Sequence, residues 1–297
     1  MIYLVDASVY VFRAYYAMPP GMTDRDGNPS HAVYGFARFL GDLIERVRPR
    51  YMAVAFDQRL AGSFRSRIYP AYKANREPPP PALEVQFERC RELCSLLGLA
   101  TFSSPEYEAD DIIGTLAWTM RRAGVRSTLI TRDKDLAQLV RLGDVFWDYG
   151  ARVQLGYNDI ERHFGVMPER FADYLALTGD SVDNIPGVPG IGPRTAAALM
   201  REFASVDELY ADLGRIARLK NVRGAASLGA RLLEHRETVY LARRLTTIEC
   251  AMPLDAAAET LRRRPPDVVA LDRFYDYLGF GPFLRRQSER LAQLPAD

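Results

Sequence analysis

Three short apolar runs mark the first half of the chain, and each leads into aspartate. "IYLVD" ends at Asp6, "MAVAFD" at Asp57, and "STLITRDKD" at Asp133 and Asp135. Short, unbroken apolar runs bounded by polar residues predict strands buried on both faces. Helix-like segments lie between them, at residues 31–47, about 83–97 and 107–123. This alternation predicts a mostly parallel central sheet with helices on both sides. Residues 144–155, "DVFWDYGARVQL", predict a hairpin that closes the sheet, with "YGAR" as its turn. Strand signals stop near residue 165. From "PERFADYLALTGD" to "FYDYLGFGPFLRRQSERL" the pattern is mostly helical. The fold class expected is therefore α/β over residues 1–165, with a boundary near Gly165, followed by a helical region over residues 166–297. No internal repeat interrupts this plan, and the only low-complexity tract is the four prolines at 78–81.

One stretch breaks the α/β rhythm. Residues 59–82, "RLAGSFRSRIYPAYKANREPPPPA", are basic, aromatic and proline-rich. Long connections inside compact domains often carry function, so the stretch is expected to be a mobile element over a cleft rather than a plain exposed loop.

Composition narrows the picture less than pattern does. An apolar content of 48% and a charged content of 26% over 297 residues are ordinary for a globular chain with a sizeable core. No run of about 18 apolar residues is present, so no membrane span is expected. The opening run is interrupted by Asp6 and Arg13 and has no basic region before it, unlike a secretion signal, so a cytoplasmic location is expected. Three cysteines cannot form a disulfide framework. Cys90 and Cys94, four apart, are expected to be reduced and packed on a helix face. The net charge of +1 argues neither for nor against a nucleic-acid partner. Of the 39 basic residues only Lys73, Lys134 and Lys220 are lysines, and the first two fall inside the motifs below.

Carboxylates are the strongest chemical signal. "EYEADDIIGTLAWTM" places Glu108, Asp110 and Asp111 at the start of a helix, with Glu108 and Asp111 on one face. Helix initiation alone favours acids there, but three within four residues exceed that need. Asp133, Asp135, Asp180 and Asp183 join Asp6 and Asp57 to make nine. Ligands of parallel sheets sit outside the carboxyl ends of the strands, where acids ending several strands would converge. Each unpaired like-charge contact there costs about 4 kcal/mol even at an effective dielectric near 20. Divalent cations offset this best, and oxygen ligands without a Cys or His cluster suit Mg²⁺ or Mn²⁺. Nine acids exceed the needs of one ion, so two are expected. A pair about 3.5–4 Å apart suits phosphodiester hydrolysis.

The stretch "LTGDSVDNIPGVPGIGPRTAAALM", residues 177–200, links two of those acids to a glycine-rich hairpin between helices. Gly187, Gly190 and Gly192 permit tight turns and close backbone approach. Backbone N–H groups there, with the N-terminus of a helix beginning near Pro193 and contacts from Arg194 and Thr195, can hold a phosphate without reading a base.

The ordered motifs "LVDAS", "FRAYYAM", "AFD", "YPAYKANR", "YEADD", "TRDKDLAQLV" and "GDSVDNIPGVPGIGPRTA" resemble those of the bacterial and phage 5′-nucleases of the flap endonuclease superfamily. That group includes the 5′–3′ exonuclease domain of bacterial DNA polymerase I. The resemblance covers roughly residues 1–285 and rests on the order and spacing of the motifs. It implies one metal position held by Asp6, Asp57, Glu108, Asp110 and Asp111, and a second by Asp133, Asp135, Asp180 and Asp183. It implies that residues 59–82 form a helical arch through which a 5′ single strand passes. Lys73 would polarise the scissile phosphate, with Tyr72, Arg76 and Arg13 close by. It further implies a helix–hairpin–helix that binds K⁺ through backbone carbonyls and bridges it to a DNA phosphate.

The activity so implied is a structure-selective, divalent-metal-dependent 5′–3′ exonuclease and 5′-flap endonuclease. Its DNA substrates would carry 5′ flaps, nicks or free 5′ ends, RNA/DNA primers would be further substrates, and the products would be a 5′-phosphate and a 3′-hydroxyl. The role implied is primer or flap removal in replication and repair, by a monomer. Two departures stand out: Ala7 replaces a common Gly, and Glu106 adds an acid before "YEADD", where it is expected to face solvent. The helix-and-tail "SERLAQLPAD" is expected to close a stand-alone nuclease rather than a fragment of a longer protein. The alternatives are a metallonuclease for structured RNA and a non-enzymatic DNA-junction binder. A binder would have no reason to keep both acid groups, whose charge weakens DNA affinity. A docking role for residues 59–82 would be compatible with catalysis.

Overall fold

The computed structural model describes the chain except residues 59–61, 220, 223, 296 and 297. The six strands are β1 (Ile2–Asp6), β2 (Tyr51–Asp57), β3 (Ala100–Ser104), β4 (Ser127–Ile130), β5 (Val145–Asp148) and β6 (Val153–Gly156). They form one sheet in the order β3-β2-β1-β4-β5-β6. All neighbours are parallel except β5 and β6, which pair as the antiparallel hairpin that "YGAR" signalled. β3 has no counterpart among the apolar runs. It is a half-buried edge strand, and its sequence "ATFSS" carries no continuous apolar stretch.

Helices α1 (Ala7–Ala17), α2 (His31–Val47), α3 (Phe64–Ile68), α4 (Pro81–Leu96), α5 (Ala109–Arg122) and α6 (Tyr157–Phe164) belong to the α/β part. The helical part holds α7 (Phe171–Thr178), α8 (Pro193–Glu202), α9 (Val206–Ala211), α10 (Leu213–Ile216), α11 (Ala225–Glu234), α12 (Arg236–Thr246), α13 (Val268–Tyr277) and α14 (Pro282–Ala292). No described helix is long and apolar enough to cross a membrane.

The sheet separates two cores. On one face Ile2, Leu4 and Leu129 meet Ile112, Ile113 and Leu116 of α5, and this core continues into the helical region through Leu175, Leu199 and Leu245. On the other face Val5, Val54 and Phe56 pack with Phe36 and Leu40 of α2 and with Leu93 of α4. Cys90 and Cys94 are buried free thiols in this second core, as the helix-face reading expects.

The second core also takes Leu271, Phe274, Tyr275 and Leu284 from α13 and α14. The last stretch of the chain therefore returns to the α/β part, whereas the boundary near Gly165 had placed it with the helical region. Hydrogen bonds pin the return: the Arg263 amide donates to the Arg50 carbonyl and the Arg264 amide to the Gly98 carbonyl, each at 2.9 Å. The Arg263 side chain is 1% exposed, and its guanidinium donates to the carbonyls of Pro49, Leu294 and Pro295. An amphipathic helix shows in its sequence that it has an apolar stripe, but not which surface covers it.

Strand order reverses at β1, with β2 on one side and β4 on the other. A crevice at the carboxyl ends of β1, β2 and β4 is the place where doubly wound sheets hold ligands.

Candidate metal centre

Asp6 closes β1 and Asp57 closes β2, while Asp133 follows β4 by three residues. The sheet thus delivers three carboxylates to one crevice, and α5 adds Asp110 from its first turn. Asp6 is 3% exposed and accepts a 2.9 Å hydrogen bond from Thr131 Oγ1. Burial, then the charges of Asp57 and Asp133, push its carboxyl up to about 8. Asp110 is raised well above the usual range by burial and by Asp133, Asp6 and Asp57. Asp133 is raised by burial and in part by Asp183. Asp57 Oδ1 accepts from the Ala109 amide at 2.8 Å, tying the end of β2 to the start of α5.

The second acid group is bound to a lysine. Lys134 Nζ lies 2.6 Å from Asp180 Oδ2 and 3.3 Å from Asp135 Oδ1. Burial and the neighbouring Asp133 charge raise Asp135 to about 7. Burial also works to raise Asp180, but the hydrogen bond and charge of Lys134 hold it below the ordinary value. Asp183 faces Lys73 Nζ at 3.6 Å, pairs with Arg76, and accepts from the Tyr72 hydroxyl at 3.3 Å.

Lys73 joins the two groups, because its Nζ also lies 2.6 Å from Glu108 Oε2. The Tyr72 hydroxyl donates to the same oxygen at 3.1 Å, and Ser63 Oγ donates to Glu108 Oε1 at 2.9 Å. Although burial opposes ionisation, the Lys73 and Arg65 charges hold Glu108 down to about 2.

Two expectations need correction. Asp111 does not open onto the crevice. It is fully buried, and Arg65 grips it in a bidentate pair at 2.7 Å for both contacts. Its oxygens also accept from the Glu108 amide at 3.0 Å and the Glu249 amide at 2.9 Å. The shared face of Glu108 and Asp111 is realised as a capping box at the head of α5.

The second correction concerns residues 59–82, of which 59–61 lie outside the described residues. The remainder is packed at its base, while residues 74–78 are exposed. Ser63, Arg65 and Tyr72 are buried, and the 70–76 turn is bound to the 180–184 loop. The Lys73 amide donates to the Asp183 carbonyl at 2.9 Å, Asn184 Nδ2 to the Ala71 carbonyl at 2.7 Å, and Asn75 Nδ2 to the Ser181 carbonyl at 3.0 Å. Arg13 lies on the surface. It is exposed on α1, with its guanidinium against Gly150 in the β5–β6 turn. Glu106 pairs with Arg67 at the surface, in line with the solvent-facing role expected of it.

The hairpin is built by close backbone contact. A Cβ on Gly187 would lie 2.3 Å from the Thr178 carbonyl, so only glycine fits there. Gly190 has φ +79 and Gly192 caps α8 with open space around it. Gly192 and Arg194 are exposed and Thr195 half-buried, so the N-terminus of α8 faces outward.

Among the described residues, no three His, Cys, Asp or Glu side chains are grouped so as to hold an ion as they stand. Basic groups engage five of the acids: Lys73 takes Glu108 and Asp183, Lys134 takes Asp135 and Asp180, and Arg65 takes Asp111. The donor chemistry still fits hard cations. The cluster is all-oxygen, its members raise one another's pKa values, and Asp135 Oδ1 is buried without a hydrogen bond. Ser63, Arg65, Thr131 and Lys134 are the site residues that sequence reasoning did not assign. Only Lys134 left a trace, as one of three lysines and inside "TRDKD".

A doubly wound sheet with acids at its strand ends, joined to a helix–hairpin–helix, defines a nuclease-like α/β architecture. Residues 1–165 match the family model of the 5′-3′ exonuclease N-terminal resolvase-like domain, and residues 166–269 that of the 5′-3′ exonuclease C-terminal SAM fold. The chain belongs to the 5′-3′ exonuclease family. It is 34% identical to a 5′-3′ exonuclease of Aquifex aeolicus over 90% of this chain and 88% of that one. It is 37% identical to DNA polymerase I of Rhizobium leguminosarum over 97% of this chain, but spans only 28% of the polymerase. The fold is similar to that of the T5 5′-exonuclease with bound divalent zinc, at TM-score 0.68 and 21% identity, covering 100% of this chain and 99% of that one. The catalytic core of Rad2 in complex with DNA substrate is similar at TM-score 0.61 and 17% identity, covering 98% and 90%.

Proposed function

We propose that the chain is a divalent-metal-dependent 5′-nuclease, a phosphodiester hydrolase acting as 5′–3′ exonuclease and 5′-flap endonuclease on DNA near single-strand/duplex junctions. The observation that carries this reading is the meeting of Asp6, Asp57, Asp110 and Asp133, from three strand ends and one helix start, opposite a second acid group on the hairpin loop. Eight carboxylates are its ligands: Asp6, Asp57, Glu108 and Asp110 for one ion, and Asp133, Asp135, Asp180 and Asp183 for another, with Mg²⁺ or Mn²⁺ as the ions. Bound there, the ions would supply positive charge for both the attacking water and the departing oxygen. Water adds to phosphorus, the P–O3′ bond breaks, and the 3′-oxygen takes up a proton, leaving a 5′-phosphate and a 3′-hydroxyl.

The chain's own groups do the rest. Lys73 polarises the scissile phosphate, and Tyr72 and Arg76 position it and Asp183. Arg13 meets the substrate backbone at the rim. Gly187, Gly190, Gly192, Arg194 and Thr195 bind the duplex backbone at the head of α8, where a K⁺ held by backbone carbonyls would add charge. A cytoplasmic monomer that removes primers or flaps is the setting that fits this chemistry.

Cleavage of 5′-flap, nicked and single-stranded DNA, with and without Mg²⁺, tests the reading. Flap and nicked substrates should be cut only with the ion, and Asp133→Ala with Asp183→Ala should abolish cutting while duplex binding persists. Preferential cutting of a matched RNA hairpin would favour a structured-RNA nuclease instead.

A further inference from the structure

One pocket near the acids has no part in the chemistry above. It measures about 520 Å³ and lies between the α3 end of the packed segment and the C-terminal end of α12. Its walls are aromatic. The Phe64 and Tyr107 rings meet at 5.7 Å and 51°, and Tyr240 faces them from α12. These rings are fixed in advance. Arg65 stacks on Phe64 at 4.6 Å, while Tyr240 stacks on Tyr210 at 5.6 Å and donates its hydroxyl to Asp207 at 2.9 Å.

The polar groups divide cleanly. Arg243 is neutralised by Asp173 and Asp207. Arg244 is exposed and has no ion pair among the described residues. Glu249 offers an acceptor at the same wall. The pocket also neighbours the acid crevice. A narrow cleft lined by Asp57, Ser63 and Glu108 shares Tyr107 with it. A volume between about 300 and 1,000 Å³ with aromatic walls and few polar groups suits a small organic ligand. A free guanidinium at the mouth suits an anionic group on that ligand.

We propose that this pocket holds one unstacked nucleotide of the substrate's single strand. Its base lies among Phe64, Tyr107 and Tyr240, and its phosphate lies on Arg244. The proposal rests on the nuclease reading above and adds a subsite to it. Stacking on aromatic faces tolerates any base, so the subsite would hold the single strand close to the acids without selecting sequence.

The test measures binding in EDTA, where no hydrolysis occurs, to a 5′-flap duplex and to a flapless nicked duplex of the same sequence. 2-Aminopurine is placed at successive flap positions. Arg244→Ala should weaken flap binding about tenfold and change flapless binding less than twofold. It should also lower the slope of log affinity against log salt by about 0.7. Arg244→Lys should recover most of the loss, and Thr247→Trp, which fills the pocket from an exposed helix end, should remove the 2-aminopurine response at one position. Equal flap binding by wild type, Arg244→Ala and Thr247→Trp would overturn the subsite alone. A wild-type protein that binds neither DNA would overturn both the subsite and the nuclease reading.

Discussion

Replacing Asp111 by Asn separates a structural carboxylate from a metal-binding one. The pair it forms with Arg65 is fully buried and bidentate, and Arg65 also donates to the Leu245 carbonyl at 2.8 Å and the Thr247 carbonyl at 3.1 Å. The cluster therefore fastens the base of the 62–76 segment to α5 and to the end of α12. Asn keeps the size of the side chain, but its single oxygen can accept from only one of the Glu108 and Glu249 amides, and the guanidinium loses its bidentate carboxylate. Stranding one partner of a buried ion pair costs about 3–5 kcal/mol. Unfolding entropy near 2.1 cal/mol/K per residue over 297 residues turns that into a Tm loss of about 5–8 °C. Arg65→Met/Asp111→Asn should recover part of it, since no charge is then stranded. Thermal unfolding checks the first number, and titration of the folded Asp111→Asn protein with Mn²⁺ checks the second claim, that ion stoichiometry is unchanged. A Tm within 1 °C of wild type together with loss of one bound ion would refute the reasoning and return Asp111 to the ligands.

Three further outcomes follow from the same geometry. In EDTA, Asp6 and Asp135 keep their protons up to about 8 and about 7. The stability carried by those protonated forms is full below about pH 4 and is lost as pH rises through 7 to 8, because the unfolded chain has already released the protons. Metal-free Tm should therefore fall between pH 5 and pH 9 and saturating Mn²⁺ should abolish the fall, whereas a flat metal-free profile would deny the mutual repulsion. Gly187→Ala should cost about 1–3 kcal/mol by forcing Gly187 away from the Thr178 carbonyl, read by denaturant unfolding and by weaker duplex binding, and an unchanged midpoint would mean the hairpin has slack. Lys73→Ala should lower the single-turnover cleavage rate far more than it weakens DNA binding, and equal losses would remove Lys73 from the chemistry.

The parts of the fold that show in the sequence are those set by local pattern. β1, β2 and β4 are continuous apolar runs because both of their faces are covered, and the β5–β6 hairpin shows through its turn. What does not show is pairing over long distances. Asp110 and Asp111 are adjacent in a motif rich in acids, yet neighbours on a helix diverge by about 100° and cannot face the same crevice. Nothing local says which of them turns inward to Arg65, 46 residues earlier in the chain. The 59–82 stretch misleads for the same reason. Its Arg, Tyr and Pro content reads as a mobile element until Asp111 and Glu108 are known to be buried partners for Arg65 and Tyr72. Lys134 is legible as a motif residue, but its link from β4 to Asp180 exists only in three dimensions.

The link between the two acid groups is made by backbone as much as by charge. Lys73 and Asn184 both adopt left-handed conformations, with φ of +53 and +56. Asn tolerates this region, but for Lys it costs about 1–2 kcal/mol, and hydrogen bonds between the 70–76 turn and the 180–184 loop hold it there. The strain sits at the residue whose ammonium spans Glu108 and Asp183. The turn carrying Lys73 and the loop carrying Asp180 and Asp183 therefore form one mechanical unit. Drawing the acids of the hairpin loop toward ions at the strand ends must carry Lys73 with them, so the cation proposed for the phosphate and the carboxylates proposed for the second ion reach their working positions together.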